Sequence, residues 1–392
     1  MTSQEQSLWV ERITLTNFRS YAAGSIETSP DPQVIAGANG AGKTNLLEAI
    51  SLLAPGQGLR RVPFAELARA AGDGSFSVAA RVHTLSGIAD IGTGIAIASP
   101  NGGGQPGERT SGRIVRIDGA AQSGSGVLAD YLEIVWVTPA MDGLFTGAAS
   151  ERRRFLDRLI LCFDPAYRTI AGRFERAMTS RNRLLSDGVR DNAQLSGLER
   201  VMAEAGVAVA AARMEAVSAM RTIVEQRKAR DPNSAFPWSQ FRLEGSLEDD
   251  LVALPAVAAE DAYAGVLRAA RERDRAAGRT LDGPHRSDLV VGHGPKEMAA
   301  RLCSTGEQKA LLLGLVLAHA ELLTERQEGA APILLLDEIT AHLDGDRRAA
   351  LFDEILRLKA QAWMTGTDVA AFDALAGRAR FWRVDESTIA SL

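Results

Sequence analysis

The apolar and polar positions fall into three stretches of different period. Up to about residue 150 the pattern is mostly that of strands. Leu8 to Leu15 alternates as an opening strand, Asn17-Phe18-Arg19-Ser20-Tyr21 turns, and Pro32 to Ala36 is a short buried run. Asn45 to Leu53 then repeats apolar residues at helical spacing. Alternation returns in Phe76 to Val82, Ile91 to Ile97 and Arg113 to Gly119, which predicts an antiparallel sheet, and Ile134-Val135-Trp136-Val137 predicts one more strand stopped by Thr138-Pro139. The Gly-rich stretch Pro100 to Thr110 between them is expected to be a hairpin loop without chemistry.

From Ser150 the period becomes helical: Phe155, Leu159 and Phe163 share a face, with Leu156 and Ile160 beside them. A second long helix is predicted over about Leu195 to Ala229. Asp231-Pro232-Asn233-Ser234 breaks the run, a strand is predicted over Trp238 to Leu243, and a further helix over Ala253 to Arg275. Past residue 275 a polar turn at Leu281 to Leu289 enters a strand, a helix is expected over Ala310 to Leu323, and Pro332 to Leu336 is again a short apolar run. The division expected is 1–150, 151–275 and 276–392, with the middle segment an insert between two halves of one domain.

Chemistry enters with Gly37-Ala38-Asn39-Gly40-Ala41-Gly42-Lys43-Thr44, which fits the G-x-x-x-x-G-K-[ST] phosphate loop, in the strand, loop, helix context the motif requires. The glycines let backbone N–H groups turn toward phosphate, Lys43 reaches β and γ oxygens, and Thr44 offers a hydroxyl to Mg²⁺. Candidate nucleotide contacts are Gly37, Asn39, Gly40, Gly42, Lys43, Thr44 and Asn45. The later run Pro332 to Glu338 ends in two acids, the form of a buried parallel strand that delivers carboxylates to a sheet edge. Asp337 is the candidate second Mg²⁺ holder, and Glu338 the candidate general base on the attacking water. Together the two motifs predict an ATPase site with Lys43, Asp337 and Glu338 as its catalytic residues, and ATP and Mg²⁺ as its cofactors. Arg19, and the Arg60-Arg61 pair after the first helix, read either as phosphate contacts or as solvated residues.

With 392 residues, 46% of them hydrophobic and 24% charged, the chain can bury a large core. A formal net charge of −5 confines any nucleic-acid contact to a local patch. Such a patch is expected on the middle segment, where Arg152, Arg153, Arg154, Arg158, Arg168, Arg173, Arg176, Arg181 and Arg183 occur among few acids. Arg152, Arg153, Arg154 and Arg158 are the candidate DNA contacts. The two cysteines, Cys162 and Cys303, stand alone without zinc or disulfide spacing, which fits a reducing cytoplasm. No apolar run is long enough to span a bilayer.

Two further pieces carry a resemblance. Ser304-Thr305-Gly306-Glu307-Gln308-Lys309 precedes a helix and resembles the signature motif of ABC-type ATPases; Ala341-His342-Leu343-Asp344 resembles their D-loop. The resemblance implies that Ser304, Gly306 and Asp344 contact nucleotide, and that the signature of one copy completes the ATP site of another, so that ATP closes a head-to-head homodimer which hydrolysis reopens. The chain most resembles the RecF family of bacterial repair ATPases. The residues that carry this are Leu15 to Tyr21, Gly40 to Asn45, Thr138-Pro139, Arg152-Arg153-Arg154-Phe155-Leu156-Asp157, Gly283-Pro284-His285-Arg286-Ser287-Asp288-Leu289, Ser304 to Lys309 and Leu336-Asp337-Glu338. It implies an α/β fold: an ABC-type ATPase head, with a phosphate-loop parallel sheet and an antiparallel β subdomain, carrying an inserted, mainly helical second lobe. It also implies ATP-dependent binding to double-stranded, gapped or junction DNA, and work with RecO and RecR in placing RecA on gaps in recombinational repair, with slow hydrolysis. The insert is too short for the coiled-coil arm of SMC-type ATPases, whose heads are otherwise similar.

The chain departs from the ABC pattern in two places. Where a switch histidine is usual it has Trp363-Met364-Thr365-Gly366-Thr367-Asp368, with Thr367 the candidate replacement, and no Q-loop glutamine stands near Val137-Thr138-Pro139. Both departures suit a slow timer better than a fast motor. Four other readings are open to the same motifs: an SMC-like or ABC-type ATPase of another DNA transaction, a transporter's ATPase subunit, an ATP-gated nuclease, and a scaffold with a degenerate nucleotide site. The arginine-rich insert speaks against the transporter, the chain's end shortly after the head, with no room expected for an additional acidic metal-binding domain, against the nuclease, and the presence of Lys43 and Glu338 against the scaffold.

Overall fold

In a computed structural model of the chain, residues 7–96, 112–188 and 191–392 are described; the Pro100 to Thr110 segment and Ile97 at the end of an expected strand lie outside them. The chain opens on a hairpin of β1 (Trp9–Phe18) and β2 (Tyr21–Glu27), and β3 (Gln33–Ala36) leads through the glycine loop into α1 (Lys43–Ser51). β4 (Phe76–Thr84), β5 (Gly87–Ile95), β6 (Ile114–Ile117) and β7 (Ala120–Ala121) continue the antiparallel sheet, in the order β2-β1-β4-β5-β6-β7, and β8 (Ile134–Val137) leaves it. Period-two burial along β4, with Phe76, Val78, Ala80 and Val82 inside, fits a sheet with one face on a core.

Helices follow: α2 (Ala149–Phe163), α3 (Tyr167–Ser186) and α4 (Asn192–Arg230). The arginine-rich run is thus two helices, broken at Asp164-Pro165, where proline cannot continue the ladder and Asp164 accepts the amide of Ala166 at 3.0 Å. Next come β9 (Ser239–Glu244), α5 (Ser246–Ala253), α6 (Ala256–Ala269) and α7 (Arg271–Ala277), so the single helix expected over 253–275 starts after Pro255 and turns again at Ala270. β10 (Asp288–His293) and β11 (Met298–Ala299) complete a three-stranded sheet, β11-β10-β9. α8 (Thr305–Arg326), β12 (Ile333–Leu336), α9 (Gly345–Leu358), β13 (Ala362–Gly366), β14 (Arg380–Asp385) and β15 (Thr388–Ser391) end the chain. Among the described residues no helix is long and apolar enough to cross a membrane.

Contacts divide the chain into two compact units, 1–142 with 234–236 and 312–392, and 143–233 with 237–311. In the first, a mixed sheet has the order β15-β14-β3-β13-β12-β8, with β14, β3, β13, β12 and β8 parallel. β3, β8, β12 and β13 are buried at every position, as strands covered on both faces must be. Their core includes Ile13, Phe18, Leu46, Ile50, Leu335 and Trp363, and each such side chain removed from water contributes about 1.5–3 kcal/mol. Buried Gln361 ties this sheet to the antiparallel one: Oε1 accepts the Val10 amide at 2.9 Å and Nε2 donates to the Val10 carbonyl at 3.0 Å. Arg113 closes the end of α1 by donating to the carbonyls of Leu52 and Gly56, and burial pushes its guanidinium down to about 10.

In the second unit Phe174, Met202, Leu247, Tyr263 and Leu267 form the apolar core. Beside it Arg181, which sequence reading sets on the solvent face, is fully buried and bound to Glu199 and Asp274. Two sequence elements interlock here. Arg152 pairs with both oxygens of Asp288 at 2.7 and 2.8 Å, Arg153 donates to the Ser287 carbonyl, and Asp157 receives Arg213, which also donates to the Pro284 carbonyl. Bidentate guanidinium pairing fixes orientation as well as distance.

Candidate active site

The loop after β3 is shaped by close approach. A Cβ on Gly37 would stand 2.2 Å from the Val384 carbonyl oxygen, and Gly40 and Gly42 hold φ of 82° and 116°, the left-handed region open to glycine. Gly42 is the N-cap of α1, so the first amides of the helix face the loop, a ready anion site. Lys43 is 5% exposed and its Nζ donates to the carbonyls of Gly37 and Ala38, each at 2.8 Å, so the ammonium lies along the loop interior. Burial lowers its affinity for a proton, while Glu338 and Asp337 raise it. From outside, Tyr21 donates its buried hydroxyl to the Gly42 carbonyl at 3.1 Å, and burial pushes that phenol upward. Asn39 is exposed, and Asn45 donates to the Ser20 hydroxyl at 2.9 Å.

Arg19 and Arg60 meet a carboxylate that sequence reading does not single out. Glu48 on α1 is 1% exposed and takes Arg19 on both oxygens, at 2.8 and 2.9 Å, and Arg60 at 2.9 Å. Arg19 also donates to the Glu66 carbonyl. These arginines therefore brace the turn and the loop against α1. The only sequence signal was an acid inside a helical apolar run.

The acids lie at the end of β12. The Asp337 amide closes the ladder to β8 by donating to the Val137 carbonyl, and Thr44 donates its hydroxyl to the Asp337 carboxylate at 3.0 and 3.1 Å. Residues 293 positions apart are thus brought together. Glu338 holds φ of 49°, a left-handed conformation that costs a non-glycine residue about 1–2 kcal/mol. Its amide is bound by Thr365, which is missed in sequence; Thr367, the sequence candidate, is exposed two residues on.

The donor set at Thr44 and Asp337 fits Mg²⁺. Among the described residues no three His, Cys, Asp or Glu side chains gather to cage a metal, and one carboxylate with one hydroxyl is the sparse oxygen set of a cation that keeps water and takes phosphate oxygens. Thr44 Oγ1 and the Asp337 carboxylate would hold it, and bound there it supplies positive charge to the phosphates.

In the second unit Ser304 and Glu307 form a capping box at the start of α8: the Ser304 amide donates to Glu307 at 3.0 Å, and the Glu307 amide to the Ser304 hydroxyl at 3.4 Å. Lys296 binds Glu307, and that bond with the Ser304 amide brings its carboxyl down to about 2. In the first unit Asp344 caps α9, accepting the Arg347 amide at 2.9 Å, and His342 before it holds φ of 67°. Of the arginine candidates, Arg152 is 14% exposed and spent on Asp288, Arg153 is half-buried, Arg158 lies over the Phe155 ring, and Arg154 is exposed. Arg168 and Arg176 are exposed on α3.

Comparison with known proteins gives a consistent answer. The model for the RecF/RecN/SMC N terminal domain matches residues 9–373. The chain is similar to the DNA replication and repair protein RecF of Mesorhizobium japonicum, 53% identical over 380 residues and 97% of each chain. It is similar also to that of Brucella suis, 51% identical over 384 residues, 98% of this chain and 96% of the relative. Among solved structures it is similar to the recombination mediator protein RecF-ATPrS of the RecFOR pathway, with a TM-score of 0.82 at 21% identity over 99% of both chains. An Smc head domain with an extended coiled coil from Pyrococcus furiosus, bound to the C-terminal domain of ScpA, gives 0.53 at 18% identity over 98% of this chain and 96% of that one. The fold is that of these heads.

Proposed function

The chain belongs to the RecF family within the RecF/RecN/SMC group, and on that premise we propose that it is an ATP-dependent DNA-binding ATPase of DNA replication and repair. The observation that carries the reading is the hydrogen bond from Thr44 to Asp337, which joins phosphate loop and acidic strand end into one site. In this reading the loop amides and Lys43 hold the β and γ phosphates, Thr44 and Asp337 hold Mg²⁺, and Glu338 takes a proton from the attacking water. Ser304 and Gly306 of a second copy close on the γ-phosphate, with Asp344 beside it, so that ATP holds a homodimer on DNA and hydrolysis frees it. By family, RecO and RecR are its partners at gapped DNA, in the cytoplasm, and loading of RecA is the outcome.

Lys43→Ala tests the nucleotide reading. Removing a charged hydrogen-bond donor is worth about 1.5–3 kcal/mol, or roughly 10- to 100-fold in ATP affinity. Nucleotide binding and ATP-dependent retention of a duplex in a filter or anisotropy assay are expected to fall together; retention that still responds to ATP at wild-type concentrations rejects the proposal.

Arg154, Arg168 and Arg176 extend the candidate DNA surface along α2 and α3. Loss of one phosphate contact lowers the slope of log affinity against log salt by about one. Arg154→Ala is expected to do this, and an unchanged slope removes Arg154 from the interface.

A further inference from the structure

The two strands that bear the nucleotide residues are not neighbours. β13 runs between β3 and β12, parallel to both, so its C-terminal end faces the gap between the phosphate loop and the acids. Thr365 stands at that end, a hydroxyl with no exposed surface in a strand otherwise apolar from Ala362 to Met364. A buried hydroxyl has to find partners, and this one has two. Its Oγ1 lies 2.7 Å from Asp337 Oδ1 and 2.8 Å from the Glu338 amide nitrogen. The directions follow from chemistry: an amide N–H only donates and a carboxylate only accepts, so the hydroxyl receives the Glu338 proton and gives its own to Asp337.

The neighbouring contacts show what this bridge sets. The ladder to β8 ends with the Asp337 amide, and one residue later the backbone enters the left-handed region at Glu338. Such a conformation persists when the surroundings over-determine it, and the Thr365 hydroxyl is the partner of that amide. The same hydroxyl bears on the carboxylate that Thr44 also holds, the two sharing Oδ1. Thr44, Asp337, Thr365 and the Glu338 backbone thus form one chain of hydrogen bonds from the start of α1 across the ends of β12 and β13.

We propose that Thr365 is a positioning residue for hydrolysis: its hydroxyl fixes Glu338 relative to Asp337, and so sets where the base meets the water. It rests on the reading of Glu338 as general base. Lys43 and the loop amides, which would hold the phosphates, make no hydrogen bond to Thr365, and Asp337 keeps Thr44 when Thr365 is lost, so the loss is expected to weigh on catalysis more than on binding.

Thr365→Val keeps the branched shape and removes both hydrogen bonds; Thr365→Ser restores them. On the full chain with ATP and Mg²⁺, Thr365→Val is expected to lower kcat by about 10- to 100-fold, the scale of a misplaced reacting group. Fluorescent-ATP affinity should stay within about twofold of wild type, and Thr365→Ser should recover most of kcat. A Thr365→Val variant with wild-type kcat overturns the proposal. So does one whose affinity falls in step with kcat and is not rescued by serine. Should valine not fold, Thr365→Ala is read by the same criteria. Glu338→Gln run alongside separates the two levels: if it hydrolyses ATP at the wild-type rate, the general-base reading fails, whereas an inactive Glu338→Gln beside a normal Thr365→Val refutes Thr365 alone.

Discussion

Glu338→Gln is expected to slow ATP hydrolysis by about 10²- to 10⁴-fold, the usual contribution of a positioned general base, with ATP binding retained. The amide has the shape of the carboxylate but cannot take a proton at neutral pH. The main chain at Glu338 is fixed by contacts the substitution leaves alone, the Thr365 hydroxyl on its amide and the ladder bond of Asp337 one residue before. Removing a negative charge near Lys43 and the phosphates also relieves repulsion, so affinity should hold or rise. If ATP closes a pair of copies and hydrolysis opens it, this variant traps the closed state. Light scattering with ATP and Mg²⁺ should then report a dimer that wild type forms only briefly, and a gapped duplex should stay with it. A monomer under every condition would mean that Ser304 does not act on a second copy's nucleotide, even with hydrolysis lost.

What was legible in the sequence was whatever depends on neighbours along the chain. The phosphate loop needs glycines at fixed offsets, and β12 needs an unbroken apolar run ending in acids. These came through with the element boundaries within a few residues. What was not legible depends on partners far apart. Glu48 looks like one helical polar position until the turn at Arg19 and the loop at Arg60 both fold onto it. Thr365 looks like a β-favouring residue in a strand, and only the strand order, with β13 between β3 and β12, gives its hydroxyl two functional neighbours. A polar residue inside a fully buried strand was the available clue.

Arg181 is the clearest case of that kind, because charge count alone groups it with the solvated arginines. Its partners are Glu199, 18 residues on, and Asp274, 93 residues on, with the Leu267 carbonyl and the Thr280 hydroxyl taking further donors. Arg271 also pairs with Glu199, on both oxygens, at 2.8 and 2.6 Å. Arg181→Met is therefore expected to destabilise the second unit by about 3–5 kcal/mol, because the Asp274 carboxylate, with no exposed surface, loses its buried cation and keeps only the half-exposed Arg273 at 3.7 Å, while Glu199 keeps Arg271. The asymmetry makes a second result informative. Adding Asp274→Asn to Arg181→Met removes the buried charge that Arg273 alone would face, and the double variant should recover much of the loss, a coupling visible in a double-mutant cycle. Arg173→Met is the control, since Arg173 meets Glu204 with both side chains about half exposed; such pairs contribute about 0–1 kcal/mol. Urea unfolding followed by helical circular dichroism reads all of these, with Asp274→Asn alone to close the cycle. A loss under 1 kcal/mol for Arg181→Met, equal to that of Arg173→Met, would mean that solvent reaches the buried cluster and that its charges are screened as surface charges are.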